Sequence, residues 1–151
     1  ALAKMPADLR SQLEGKIGIH SARGAYSPEG AYGDRDKASD RSMDILPSRE
    51  ADKTGTHPLI RKHPETGEPG LFSCLGYIIG IEGMPEGVAR AVLTEMLAWQ
   101  SRTEFQFRVT WQRGTLVMWD NRSVLHKASG GYEGFDRILH RTTIADHRVG
   151  A

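Results

Sequence analysis

Three features of the sequence predict a mainly β chain with flanking helices, an α+β domain. The first is short alternating runs of β-forming residues, clearest where Phe105, Phe107, Val109 and Trp111 are set against Gln106, Arg108 and Thr110. Successive side chains on a strand point to opposite faces, so this run describes a strand with one buried side. The second is a set of glycine- and proline-bearing turns between such runs, at Thr66-Gly67-Glu68-Pro69-Gly70 and at Arg113-Gly114. The third is helical periodicity confined to the start of the chain and to a stretch after Met84. A chain of 151 residues is expected to form one domain that buries about two-thirds of the surface its unfolded form exposes.

The elements follow in order. Ala1 to Leu13 has an amphipathic helical pattern, with Pro6 near the first turn and Gly15 near the end. Lys16 to His20 is expected to be a short strand. From Ser21 to Thr56 the chain turns polar, rich in Gly, Ser, Pro, Asp and Arg, and between Asp34 and Lys53 few apolar residues offset the entropy of ordering. Residues 22–55 are therefore expected to be either a mobile lid or a disordered segment. Thr56 to Lys62 and Leu71 to Ile81 are expected to be extended. Met84-Pro85-Glu86 starts a second helix, whose apolar face is assigned to Val88, Ala91, Val92, Leu97 and Trp99. Strands are then expected over Phe105 to Trp111, Thr115 to Trp119 and Arg137 to Ile144.

Charge and cysteine content narrow the function classes. Twenty basic residues against nineteen acidic ones give a net charge of +1, which creates no global field to recruit nucleic acid or an anionic membrane. The longest apolar run, around Leu75 to Ile81, is too short to cross a bilayer. Cys74 is the single cysteine, so no internal disulfide forms and a reducing cytoplasm suits the chain.

The stretch that carries chemistry is Trp119-Asp120-Asn121-Arg122-Ser123-Val124-Leu125-His126, with Arg137 eleven and Arg141 fifteen residues beyond His126. Alternation on Arg137 to Ile144 puts Arg137, Leu139, Arg141 and Thr143 on one face and His140 on the other. Two arginines turned into one space without an anion would be costly. A neutral imidazole suits a metal, and an arginine fork beside it suits a carboxylate. Plainer readings stand beside these: His126 as a histidine bonded to backbone, Arg137 as a surface arginine in a weak ion pair. Asp120-Asn121-Arg122 is expected to hold a turn through side-chain to backbone hydrogen bonds. His20, His57 and His147 show no ligand spacing.

These residues resemble the taurine dioxygenase and 2,4-dichlorophenoxyacetate dioxygenase (TauD/TfdA) group of non-haem iron enzymes. The resemblance extends through Leu9 to Ser21, Thr56 to Gly67, Leu71-Phe72, Arg102 to Phe105, Trp111 and Trp119 to Ile144. It implies a double-stranded β-helix, or jelly-roll, core, incomplete in this chain. It also implies Fe(II), 2-oxoglutarate and O2 as cofactor and cosubstrates. His126 matches the distal histidine of the facial triad, and Arg137 the arginine that anchors the far carboxylate of 2-oxoglutarate. Arg141 matches a pocket arginine facing cosubstrate or substrate, while Trp119 and Phe72 match aromatics of the pocket, Phe72 on the substrate side. The implied reaction is oxidative decarboxylation to succinate and CO2 coupled to hydroxylation of a small anionic substrate such as a sulfonate, a sulfate ester or an aryloxy acid.

One departure bears on all of this: no histidine here is followed two residues later by Asp. The chain is accordingly expected to be the C-terminal portion of a single dioxygenase domain, with the His-x-Asp ligands upstream of Ala1. Two other classes stay open. One is a non-catalytic β-sandwich remnant; the other is a cupin-like module binding metal through His63, Glu65 and His126. Substrate identity and homo-oligomerisation are left open by the sequence.

Overall fold

The computed structural model describes residues 1–33, 45–72, 74, 76–131, 134–136 and 138–144. A 3-10 turn at Leu2–Lys4 leads into α1 (Ala7–Leu13), with Pro6 at the N-cap and Gly15 in the left-handed region at φ 69° just beyond the end. Proline has no N–H to leave unpaired at a helix start, and glycine adopts positive φ without steric cost, so both ends follow from sequence. Next come β1 (Ile17–Ser21), the single turn α2 (Arg23–Tyr26), β2 (Thr54–Pro58), β3 (Ile60–Lys62), β4 (Pro69–Leu71), β5 (Ile78–Ile81) and α3 (Glu86–Gln100).

Two antiparallel sheets result. The first has the order β2-β1-β5, and the second is the β3-β4 hairpin, with Ile60 opposite Leu71 and Lys62 opposite Pro69. A register shift between Ile19 and His20 bends the centre of the first sheet where it meets β5. The hairpin turn closes through Gly67 N–H to the His63 carbonyl at 2.8 Å and His63 N–H to the Glu68 carbonyl at 2.8 Å. Gly67 takes φ 73° there, which explains a glycine at that position.

One core forms where α3 lies on β5 and α1. Leu2, Met5, Leu9 and Leu13 meet Leu59, Ile78, Ile81, Ala89, Val92, Leu93 and Met96, and Leu13, Leu59 and Met96 are fully buried. Each such side chain contributes about 1.5–3 kcal/mol through burial. The buried stripe of α3 is Ala89, Val92, Leu93 and Met96, at helical spacing. That corrects the expected face: Val88 and Ala91 are exposed, Leu97 and Trp99 half-buried, and only Val92 belongs to both sets. Hydrophobicity marked a broad arc, and the sheet chose the part of it that faces β5.

The strands expected over Phe105 to Trp111, Thr115 to Trp119 and Arg137 to Ile144 are not found among the described residues. The turn between the first two is present, with Thr115 N–H on the Gln112 carbonyl at 3.0 Å and Gly114 at φ 84°. Its two arms carry no ladder. A strand exists only where its N–H and C=O groups meet a neighbour, and alternation marks a face without supplying that neighbour. The antiparallel sheets and packed helices agree with an α+β fold, and the described residues do not close a jelly roll.

Of residues 22–55, the described parts are hydrogen-bonded. Ala31 N–H donates to the Gly24 carbonyl and Ser48 N–H to the Tyr26 carbonyl, both at 2.9 Å. Arg49 Nη1 donates to Glu29 Oε2 at 2.9 Å. The stretch from Asp34 to Asp44 lies outside the described residues.

Candidate functional site

Asp120 opens a turn that holds itself together. Its backbone carbonyl accepts from Ser123 N–H and Val124 N–H, each at 3.1 Å, and its carboxylate accepts from Arg122 N–H at 2.8 Å. The Arg122 guanidinium returns to the same carboxylate, Nε to Oδ1 at 2.9 Å and Nη2 to Oδ2 at 2.7 Å. Charge-assisted bonds of this kind are the strong ones. They hold the Asp120 carboxyl well below the usual carboxylate range, with Arg122 the largest cause and His63 a further one. The expected turn-holding role of Asp120-Asn121-Arg122 is what the structure shows.

The turn delivers His126 to Trp119. The two rings lie 4.9 Å apart between centroids at 47°, and Trp119 Nε1 donates to Asn121 Oδ1 at 2.9 Å. His126 is exposed, and among the described residues neither of its ring nitrogens has a hydrogen-bond partner. An imidazole steadied by a tryptophan face with both nitrogens uncommitted is chemically suited to donate to a metal. It supplies one corner of a ligand set, since no group of three or more His, Cys, Asp or Glu arranged for a metal occurs among the described residues. Arg141 is exposed, and Arg137 lies outside the described residues.

Phe72 has a different setting from Trp119 and His126. It directly follows β4, and its N–H donates to the Leu59 carbonyl at 2.8 Å. Its ring packs 5.1 Å from His57 and 5.9 Å from His20, and the Arg61 guanidinium lies 4.4 Å over it. The β1-β2 register creates this cluster: Gly18 pairs with His57 and Gly55 with His20. Each imidazole thus has a glycine opposite, which leaves room for the rings to meet on the diagonal at 5.3 Å. His20 Nδ1 donates to the Gly18 carbonyl at 3.2 Å, while its buried Nε2 has no hydrogen-bond partner by distance and angle among the described residues. Burial depresses the His20 pKa below its ordinary value, and His57 adds to that effect. Sequence spacing gave no hint of this grouping; the clue was the pairing of each histidine with a glycine, legible only once the register is known.

His63, a ligand in the cupin-like alternative, has both ring nitrogens engaged. Nδ1 accepts from Glu65 N–H at 3.2 Å and Thr66 N–H at 3.3 Å, and Nε2 lies 3.0 Å from Asp120 Oδ2. No lone pair is left for a metal without breaking the turn. Sequence reasoning missed the His63–Asp120 contact, which spans 57 positions. Further along α2, Tyr26 and Tyr77 stack at 6.4 Å, and the hydrogen bond between them, with burial second, pushes the Tyr77 pKa up to about 12. Among the described residues, no helix is long and apolar enough to cross a membrane.

Residues 1–143 match the model of the taurine catabolism dioxygenase TauD, TfdA family. The chain is 34% identical over 146 residues to the alpha-ketoglutarate-dependent 2,4-dichlorophenoxyacetate dioxygenase of Cupriavidus pinatubonensis, a match covering 96% of this chain and 47% of that protein. It is 32% identical over 90 residues to an alpha-ketoglutarate-dependent sulfate ester dioxygenase of Pseudomonas putida, covering 59% of this chain and 29% of that one. Among solved structures it resembles a taurine dioxygenase from Burkholderia xenovorans, with a TM-score of 0.58 and 28% identity over 81% of this chain and 34% of the other. The chain spans less than half the length of each of these relatives.

Proposed function

This chain belongs to the TauD, TfdA family, and from that premise we propose that it forms part of an Fe(II)- and 2-oxoglutarate-dependent dioxygenase acting on a small anionic substrate. The observation that carries the reading is His126, whose ring nitrogens are uncommitted among the described residues and whose plane is steadied by Trp119. His126 would hold the iron at one position; the other two protein ligands of a facial triad are not found among the described residues. Bound ferrous iron supplies the redox chemistry that uses O2 to convert 2-oxoglutarate to succinate and CO2 while a substrate carbon is hydroxylated.

The chain's own residues bind and orient. We assign the Arg137 guanidinium to the distal carboxylate of 2-oxoglutarate, which a guanidinium fork would hold by paired hydrogen bonds, and Arg141 to a second anionic group on cosubstrate or substrate. Trp119 fixes the plane of the His126 ring. Phe72 offers an apolar wall, and the Arg61 charge above its ring favours a substrate that is both apolar and anionic. The named relatives act on an aryloxy acid, a sulfate ester and taurine, and all three substrate types carry an anionic group beside a carbon skeleton. Residues 22–55 are the segment we assign to covering that substrate, and the single Cys74 suits a reducing cytoplasm.

Anaerobic titration with ferrous iron and 2-oxoglutarate is expected to develop the visible charge-transfer band of this enzyme class. His126→Ala should abolish it. Arg137→Ala should weaken 2-oxoglutarate binding by about 2–5 kcal/mol, the cost of leaving a buried carboxylate unpaired. Absence of the band from the parent protein, or an unchanged affinity in Arg137→Ala, refutes the assignment, and abolition of the band in His63→Ala as well as in His126→Ala would favour a cupin-like site.

A further inference from the structure

His63 sits where two parts of the chain meet. It leaves β3 and begins the hairpin turn, and its side chain is 15% exposed. Through Nδ1 it accepts two backbone N–H groups of that turn, which places its ring proton on Nε2. The Nε2–H is therefore the donor to Asp120 Oδ2, at 3.0 Å. Glu65 of the same turn lies 3.9 Å from Arg122 Nη1, so a second contact runs alongside the first. The hairpin reaches across 57 positions to the one residue whose carboxylate and carbonyl both organise the turn before His126.

We propose that His63 is a positioning residue: its Nε2–H locks Asp120, and through that turn it sets where Trp119 and His126 stand. The physical case is one of leverage. Asp120 Oδ2 accepts from both His63 and Arg122, but Arg122, which reaches Glu65 of the hairpin at the longer distance of 3.9 Å, belongs to the same turn and moves with it. His63 belongs to a hydrogen-bonded hairpin and does not. A turn held only by its own residues is free to swing as a unit, whereas one pinned to a neighbouring hairpin presents its next residues in a single orientation. Trp119 precedes Asp120 directly and carries the ring against which His126 rests.

The competing account is that His63 merely closes its own hairpin through Nδ1, and two substitutions separate the accounts. Glutamine keeps a donor near the place of Nε2 and loses the acceptor at Nδ1. Asparagine keeps an acceptor near Nδ1 and loses the distant donor. Two readouts apply to the full protein: the indole N–H cross-peak of Trp119 in metal-free NMR spectra, assigned with Trp119→Phe, and Co(II) affinity followed by its visible absorption.

His63→Asn is expected to shift the indole peak and weaken Co(II) binding about tenfold, in the lower part of the range for lost supporting contacts. His63→Gln is expected to leave both close to the parent. The reverse order, equal effects of both substitutions, or no effect of either overturns the proposal. Should His63→Asn fail to fold, His63→Gln decides: parent-like signals uphold the proposal and altered ones overturn it. The Co(II) arm rests on the reading of His126 as a metal ligand. If the parent protein binds no Co(II), that reading fails by itself, and the indole peak still decides the role of His63.

Discussion

His20 shows how one side chain couples this fold to pH. Its Nδ1–H is directed at the Gly18 carbonyl, its Nε2 is buried, and the rings of His57 and Phe72 pack against it with Arg61 beyond Phe72. Burial keeps the folded-state pKa below the ordinary 6.5, to which it returns on unfolding. As pH falls through 6.5 the unfolded chain takes up a proton that the folded chain resists, so stability declines towards lower pH and is fully restored above that value. Urea unfolding between pH 5 and 8 should show the slope, and His20→Phe, which keeps a ring in the cluster, should flatten it; an equal slope in the variant would move the effect to another group. Asp120 acts in a lower window with the same sign. Its folded-state pKa is depressed, so the stability it contributes is complete above 3.8 and is lost as pH falls towards the lower folded value.

Among the elements, β1 is the most constrained. A Cβ at Gly18 would stand 2.7 Å from both Ile78 Cδ1 and Leu59 Cδ2, and 3.1 Å from His20 Cε1. Leu59 is fully buried and Ile78 nearly so, so neither moves away without disturbing the core. Gly18→Ala is therefore expected to cost about 1–3 kcal/mol as an overpacked position, and Leu59→Ala about 2–5 kcal/mol as a cavity in the same place. Chemical denaturation measures both, and a neutral Gly18→Ala would mean that β1 shifts to make room. The helices show how far sequence reaches at this scale. Both α1 and α3 start behind a proline and were legible to within a few residues, because helix ends are decided by local chemistry. Which arc of α3 is buried was not legible, since Val88 and Ala89 are adjacent and similar in character, and only the position of β5 separates them.

Across the whole molecule, the region beyond Phe105 differs from the rest. Phe107 and Ile144 are 90% exposed, Met118 84% and Leu116 83%, against a compact core built from residues 2–96. Apolar side chains displayed in this way bind apolar probes. The 151-residue chain studied alone should enhance and blue-shift the fluorescence of anilinonaphthalene sulfonate, and Phe107→Ser with Leu116→Ser should reduce that signal without lowering the thermal midpoint. An unenhanced signal in the parent would mean that these side chains are covered in solution, which sedimentation would reveal as self-association. Sequence by itself determined the positions of the helices and of the turns at Gly67 and Gly114, the strand at Ile17–Ser21 and the membership of a family, whereas the strands it suggested beyond Phe105 are not found among the described residues. Those properties depend on neighbours a few residues away, where periodicity, caps and turn chemistry act. Tertiary structure alone decided that β1 is flanked by β2 and β5, that Phe72 stands among His20, His57 and Arg61, and that His63 meets Asp120. Such pairings depend on which backbone groups and side chains meet after long loops close, and no local pattern encodes a partner 57 positions away.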